Sequence, residues 1–188
     1  MLRRLTLAVA LLASLVSLAA CGNKREIVTS GETEGVYLDV GEPPLKYQVQ
    51  ISRQLNPTNI EDRSYLVGLP ADQRELPADQ IWFAVFIRVE NDGESTEPTA
   101  KDFSIEDTEG NIYEPVPLSQ ENVFAYRPQT LAAGRKIPAP NTAADTNTIQ
   151  GSLLLFKIPV ANLENRPLEF KVKSPQVPQR EGTVNLDV

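Results

Sequence analysis

Apolar and polar residues alternate along most of the chain from residue 45 onward. Two series are the clearest, with an apolar side chain at every second position: Leu45, Tyr47, Val49 and Ile51, then Ile81, Phe83, Val85, Ile87 and Val89. Shorter alternating pieces follow at 103–105, 112–113, 152–158, 168–172 and 184–188. Successive side chains of a strand point to opposite faces, so this period of two predicts half-buried β-strands rather than helices.

Turn signals separate the alternating pieces. Asn91-Asp92-Gly93 follows the second series, Asp107 to Asn111 reads as a tight turn, and many of the 15 prolines stand between the predicted strands. Proline is largely confined to edges and turns of sheets, and short strands spaced by turns are typical of sandwiches and barrels. We therefore predict an all-β domain over 45–188, with long irregular stretches at 53–80 and 114–150.

The first twenty residues have a different character. Arg3 and Arg4 precede an apolar run at 5–20 that contains no acidic residue. A basic start followed by an apolar run and small residues is typical of an export signal. Because the run is shorter than the roughly 20 apolar residues that a membrane-spanning helix needs, we predict a cleaved signal peptide over 1–20.

The leader ends in Leu18-Ala19-Ala20-Cys21. This motif resembles the lipobox of bacterial lipoproteins, which implies cleavage before Cys21 and a diacylglycerol joined to its thiol through a thioether. Two or three acyl chains hold a protein on a membrane where one chain holds it marginally. Cys21 is the only cysteine, so the domain has no intramolecular disulfide. The alternative is an ordinary secreted protein cut near Ala20 that keeps a free thiol.

Residues 21–44 are polar, contain glycine and lack a sustained period. Such composition is typical of a flexible segment, so we predict a lipidated stalk over 21–44, with a short edge strand at 35–40. The predicted protein is thus located at the cell membrane, lipid-anchored on its extracytoplasmic face. Its predicted parts are a signal peptide (1–20), a stalk (21–44) and a β-sandwich domain (45–188).

Composition narrows the chemistry. Without Arg3 and Arg4 the mature chain has 16 basic and 25 acidic side chains, a net charge of −9, so nucleic acid is not expected as a partner. Histidine is absent, which removes the commonest general base and metal ligand. The acidic residues around Asp92 and Asp107 lack the spacing of a calcium loop. We therefore expect no enzyme activity, no cofactor and no metal.

Three segments carry a further resemblance: WFAVFIRVEN (82–91), FSIEDTEGNIY (103–113) and GSLLLFKIP (151–159). They resemble a family of bacterial lipoprotein domains with a telokin-like, immunoglobulin-type β-sandwich fold and no assigned function. The segment YLDVGEPPLKYQVQISRQLNP (37–57) is similar to lipoproteins of high-GC Gram-positive, actinobacterial species. The resemblance implies a sandwich outside the cytoplasm and transfers no catalytic residue.

Two predicted strands are apolar on both faces, since Trp82 and Phe86 lie opposite one apolar row and Leu153 and Leu155 opposite another. Either the long loops cover this second face, or it is a partner-binding patch centred on Trp82. The first hypothesis for function is a non-catalytic interaction module with an envelope protein partner. The alternative is a small-ligand-binding or accessory subunit whose long loops close over a ligand. Tyr126 and Arg127 of the second loop either contact that ligand or fasten the loop to the sandwich.

Overall fold

The alternating segments are extended strands in the structure, a computed structural model that describes residues 27–187. The strands are β1 (Ser30–Gly31), β2 (Tyr37–Gly41), β3 (Pro44–Leu55), β4 (Gln80–Glu90), β5 (Glu97–Pro98), β6 (Asp102–Glu106), β7 (Ile112–Tyr113), β8 (Thr130–Leu131), β9 (Lys136–Ile137), β10 (Ser152–Pro159), β11 (Glu169–Lys173) and β12 (Glu181–Asn185). The helices are α1 (Ile60–Tyr65) and α2 (Ala143–Thr146), with 3-10 turns at Ala71–Gln73 and Val160–Glu164.

Two sheets make up the body, and β5 and β8 form a separate antiparallel pair. One has the strand order β1-β12-β11-β6-β7, and the other has the order β10-β4-β3-β2, with β9 paired to the end of β4. Their pairings are antiparallel except that β1 runs parallel to β12. The prediction of an all-β sandwich is confirmed. The finer assignment to the immunoglobulin type stays a prediction.

The core lies between the two sheets and is built from the predicted apolar rows. Phe83 and Val85 of β4 are buried there with Ile105 of β6, and Phe103 stacks on Phe170 at 5.8 Å between ring centroids. Each fully buried side chain of this size contributes about 1.5–3 kcal/mol relative to an exposed one. These residues therefore belong to the main apolar contact between the two sheets.

A bulge in β3 changes which face its later residues occupy. Val49 pairs with Ile87, but Ile51 pairs with Phe86, so the register shifts at Gln50. Paired residues of neighbouring strands share a face, which places Ile51 on the side opposite Val49. Ile51 is 38% exposed. The predicted inward row of β3 is therefore correct through Val49 and wrong at Ile51.

The folded body starts earlier than the predicted boundary at residue 45. In the segment predicted as a stalk, β1 pairs with β12, and the predicted edge strand at 35–40 is present as β2, which pairs with β3. The Asp39 amide donates to the Val28 carbonyl at 2.5 Å, and the Thr183 amide donates to the Thr29 carbonyl at 2.9 Å. Residues 28–31 therefore bond to both sheets, and alternation alone missed them because β1 is only two residues long.

Candidate functional site

The predicted partner-binding patch lies in the interior. Trp82 is 1% exposed, and Phe86, Leu153 and Leu155 are equally buried. They form a second apolar cluster, on the outer side of the β10-β4-β3-β2 sheet, together with Leu55 and Tyr65. Of the two alternatives for this face, the structure shows the covered one: loops lie over it, so the hypothesis of an exposed patch at these four residues is wrong. Cys21, the predicted lipid attachment site, lies outside the described residues.

The cover, which we call the cap, consists of residues 56–79 and 114–127. The ring of Tyr65 meets Phe86 and Phe124 edge-on, at centroid distances of 5.0 and 4.9 Å. Edge-to-face packing of this kind is a favoured arrangement of aromatic side chains. Tyr65 thus joins the two cap segments to each other and to the sheet beneath.

Asn122 connects the two cap segments through all its amide groups. Its Nδ2 donates to the carbonyls of Tyr65 and Val67, each at 2.9 Å, and its Oδ1 accepts from the amides of Phe124 and Ala125, each at 3.0 Å. Asn122 is itself buried. Buried polar groups are costly unless bonded, so these four bonds hold the cap in one arrangement.

Helix α1 is fastened to β3 by a buried charge. Asp62 is buried, pairs with the guanidinium of Arg53 and accepts from the Asn56 amide at 2.7 Å. Asn59 caps the helix by accepting from the amide of Glu61 at 2.8 Å. The sequence 53–80, predicted as irregular, therefore contains the end of β3 and a docked helix.

The ammonium group of Lys157 lies over the indole ring of Trp82. The Nζ of Lys157 lies 4.9 Å from the Trp82 ring centroid and donates to the Oε1 of Gln73 at 2.8 Å. A cation over an aromatic face is attracted by the ring quadrupole. Gln73 belongs to the cap, so this contact also holds the cap to the sheet.

A cleft of about 270 Å³ opens beside the cap, next to β10. Its apolar lining includes Phe103, Val116, Leu118 and Leu154, and Lys101 supplies an ammonium group. Ligand pockets usually measure about 300–1,000 Å³, so the cleft lies just below that range.

Tyr126 fastens the second loop to the sandwich, whereas Arg127 bonds within the loop itself. Arg127 also lines the cleft, but its guanidinium donates to the carbonyls of Leu118, at 2.7 Å, and Ser119. The hydroxyl of Tyr126 donates to the Ala100 carbonyl at 2.8 Å. Of the two predicted roles, the structure provides a contact for the fastening role at Tyr126, while Arg127 joins two parts of its own loop.

Two buried tyrosines hold one backbone position. The hydroxyl of Tyr47 accepts from the Ala100 amide at 2.7 Å, opposite the bond from Tyr126 to the Ala100 carbonyl. Burial raises the pKa of Tyr47 to about 12 and raises the pKa of Tyr126 as well. Both hydroxyls are therefore protonated at neutral pH and act as fixed hydrogen-bonding groups.

Asp107 organises the turn between β6 and β7. Its carboxylate accepts from the amides of Glu109 and Asn111, the side chains of Asn111 and Asn165, and the hydroxyl of Tyr113. Burial alone would raise the pKa of Asp107, but the bonds from Asn111, Asn165 and Tyr113 outweigh burial and hold this pKa well below its ordinary value. In the described part of the chain, no three acidic side chains are grouped so as to hold a metal ion.

Comparison with solved structures supports the fold. The chain is similar to the yjhA protein from Bacillus subtilis, with a TM-score of 0.53 and 13% identity over 83% of this chain and 99% of that chain. It is also similar to the "putative lipoprotein (ycdA)" from Bacillus subtilis subsp. subtilis str. 168, with a TM-score of 0.48 and 10% identity over 82% of this chain and 39% of that chain. At 13% identity, the similarity to yjhA shows a common fold alone.

No protein-family model and no curated sequence matches the chain. Between residues 27 and 187, none of the helices has the length and apolar character to cross a bilayer.

Sequence reasoning missed the residues that build the cap. Asn122 and Asp62 lie in stretches predicted as irregular, and Asn122 bonds to residues more than 50 positions away. The Asn59 cap followed by Glu61 and Asp62 was the available local signal for α1. The partners of Asn122 have no local signal, because they depend on how two distant loops meet.

Proposed function

We propose that this protein is a lipoprotein held by acyl chains on Cys21 at the extracytoplasmic face of a membrane. The observation that carries the proposal is the Leu-Ala-Ala-Cys motif at the end of an apolar leader. The start of the folded body supports it, because Val28 already bonds to β2 only seven residues after Cys21. An anchor on Cys21 would thus be joined to the sandwich by a short segment of chain.

The body of this lipoprotein acts, in our proposal, as a non-catalytic module that binds an envelope protein through the cap. The cap has three exposed apolar side chains, Ile60, Val67 and Val123. Val67 and Val123 flank the Asn122 bridge, because Asn122 bonds to the Val67 carbonyl. The absence of histidine from the sequence favours binding over catalysis.

The anchor is tested by producing the full chain in a bacterium that matures lipoproteins and measuring its intact mass. We expect cleavage before Cys21 and a mass increase equal to a diacylglycerol with or without an added acyl chain. The Cys21→Ser variant is the control and should retain its leader without lipid. A wild-type protein with a free Cys21 thiol would contradict the proposal.

The partner surface is tested by in-cell crosslinking of the full-length protein. Replacing Val67 and Val123 together by Asp should remove a crosslinked species that wild type forms, because charges then lie in an apolar contact. Ile112→Asp changes an apolar residue on the other sheet that is exposed to the same degree as Val123, and it should leave that species in place. Equal yields from all three proteins would exclude the cap as the binding surface.

A second function, binding of a small amphiphile, is favoured by the cleft. Its lining is largely apolar and includes Lys101, whose ammonium group would pair with an anionic headgroup. Octanoate should then raise the melting temperature of wild type more than that of Lys101→Ala, with Lys173→Ala, whose lysine is not part of the cleft lining, as the matched control. The absence of any shift in wild type would exclude this function.

A further inference from the structure

At one end of the sandwich, the first described residues lie beside a turn and a loop. This end consists of residues 27–29, the turn at 41–44 and the loop at 174–180, and we call it the anchor end. Gly41 lies directly against the Gln176 side chain, and Arg180 pairs with Glu42 at 3.4 Å. Ile27, Thr29 and Arg180 line one groove. These contacts place the three segments side by side.

The loop at 174–180 is closed at its base and has an apolar tip. The Ser174 amide donates to the Arg180 carbonyl at 2.8 Å, and the Arg180 amide donates to the Ser174 hydroxyl at 2.9 Å. Between them lies Pro-Gln-Val-Pro-Gln, which has no charged residue. Val177 at the tip is 97% exposed. Lys173 and Arg180 flank the loop, and each pairs with a carboxylate, Lys173 with Glu181 and Arg180 with Glu42, so the tip is the uncharged part of a base whose charges are balanced.

The length of the connection from Cys21 keeps this end near the anchor. Six residues, fully extended, span at most about 20 Å, so Ile27 stays within that distance of the acylated cysteine. The opposite end of the sandwich is farther away, since the 12 residues of β3 extend over about 40 Å. The anchor end is thus the part of the body that the connection holds nearest the lipid.

We propose that the loop at 174–180 contacts the membrane that carries the lipid anchor, with the uncharged tip around Val177 entering the headgroup region. This inference rests on the proposed acylation of Cys21 and adds the orientation of the body to it. A single valine is too small to hold a protein on lipid, so the acyl chains supply the attachment and the loop sets which end faces the bilayer. The opposite end, where α1 begins, then points away from the membrane.

The test places one fluorescent label on the full, acylated chain. Cys21 is the only cysteine and its thiol is blocked when acylated, so Val177→Cys and Ile60→Cys each provide one reactive thiol. Ile60 is the matched control, because it is 79% exposed and follows the far end of β3. Both labelled proteins are reconstituted in phosphatidylcholine and phosphatidylglycerol vesicles whose acyl chains carry a quencher.

Quenching at position 177 should be several-fold greater than at position 60. Equal quenching at the two positions, in protein whose mass confirms the lipid on Cys21, would overturn the membrane contact while the lipoprotein proposal stands. An intact mass without lipid would overturn both. A label that enters lipid on its own account would be quenched at both positions, which also counts against the contact.

Discussion

At the scale of single residues, several polar side chains stabilise the fold by forming hydrogen bonds with buried groups. Asp107 receives hydrogen bonds from three neighbouring residues of its own turn and from Asn165. Tyr47 and Tyr126 bond to both backbone groups of Ala100. A buried polar group left without a partner costs about 1–3 kcal/mol, so each of these residues is expected to matter for stability.

Replacing Asp107 by Ala should lower the free energy of unfolding by about 2–4 kcal/mol at neutral pH, because several donors lose one charged acceptor. The pKa of Asp107 is lowered by folding, so its contribution is present above the ordinary value of 3.8 and is lost as the pH falls through the folded value. Urea denaturation of wild type and variant, from neutral pH down to acid pH, measures this contribution to the free energy of unfolding. Asp102→Ala, at an exposed site on β6, should change stability by no more than about 0.5 kcal/mol. A pH-independent difference would contradict the prediction.

Tyr47→Phe should lower the free energy of unfolding by about 1–2 kcal/mol, because the buried Ala100 amide loses its acceptor. Burial raises the pKa of Tyr47 to about 12. Its stabilising effect is therefore full below pH 10 and is lost as the pH rises through the folded pKa. In an ultraviolet titration of the wild-type protein, the Tyr47 hydroxyl should ionise only when the protein unfolds at alkaline pH. Complete ionisation near pH 10 with the fold intact would exclude this.

At the scale of elements, the cap determines what the outer face of the β10-β4-β3-β2 sheet can do. The face is apolar in the sequence, yet the cap excludes it from solvent through Tyr65, Asn122 and the Lys157–Gln73 contact. Soluble proteins rarely leave large contiguous apolar areas uncovered. The same cap then supplies the exposed valines on which the proposed partner surface depends.

Asn122→Ala should loosen the cap and lower the free energy of unfolding by about 2–3 kcal/mol, because buried carbonyls and amides lose their partners. Acrylamide should then quench Trp82 fluorescence more strongly than in wild type, in which the indole is buried. Gln120→Ala, an exposed position in the same loop, is the matched control and should behave as wild type does. Unchanged quenching in Asn122→Ala would mean that Asn122 is not required for closure.

At the scale of the whole molecule, the first described residues join the two sheets. Val28 bonds to β2 of one sheet, and Thr29 bonds to β12 of the other. Val28 also packs against the main core. The segment that would connect a lipid anchor on Cys21 to the body is therefore itself part of the sandwich.

A chain that begins at residue 32 should be less stable than one that begins at residue 27 by about 2–4 kcal/mol, since it lacks β1, its backbone bonds and the packing of Val28. Guanidinium denaturation of the two proteins measures the difference. Equal midpoints would show that residues 27–31 lie on the body without stabilising it.

Some features were readable from local pattern. The period of two located the main strands and the inward row of β4, because strand geometry alternates side chains whatever the surroundings. The order of residue types in 1–21 predicts export and acylation, because such signals consist of a short stretch of sequence. Proline and glycine placed the turns, as at the Asp107 turn.

Tertiary structure decided the rest. Whether Trp82 is a surface or an interior residue depends on loops from two distant parts of the chain, which meet through Asn122. Ile51 leaves the predicted row because a bulge is an irregularity of pairing between strands, and no alternation within β3 records it. The body includes Ser30 and Gly31 because this two-residue strand is stabilised by its partner β12 rather than by its own sequence.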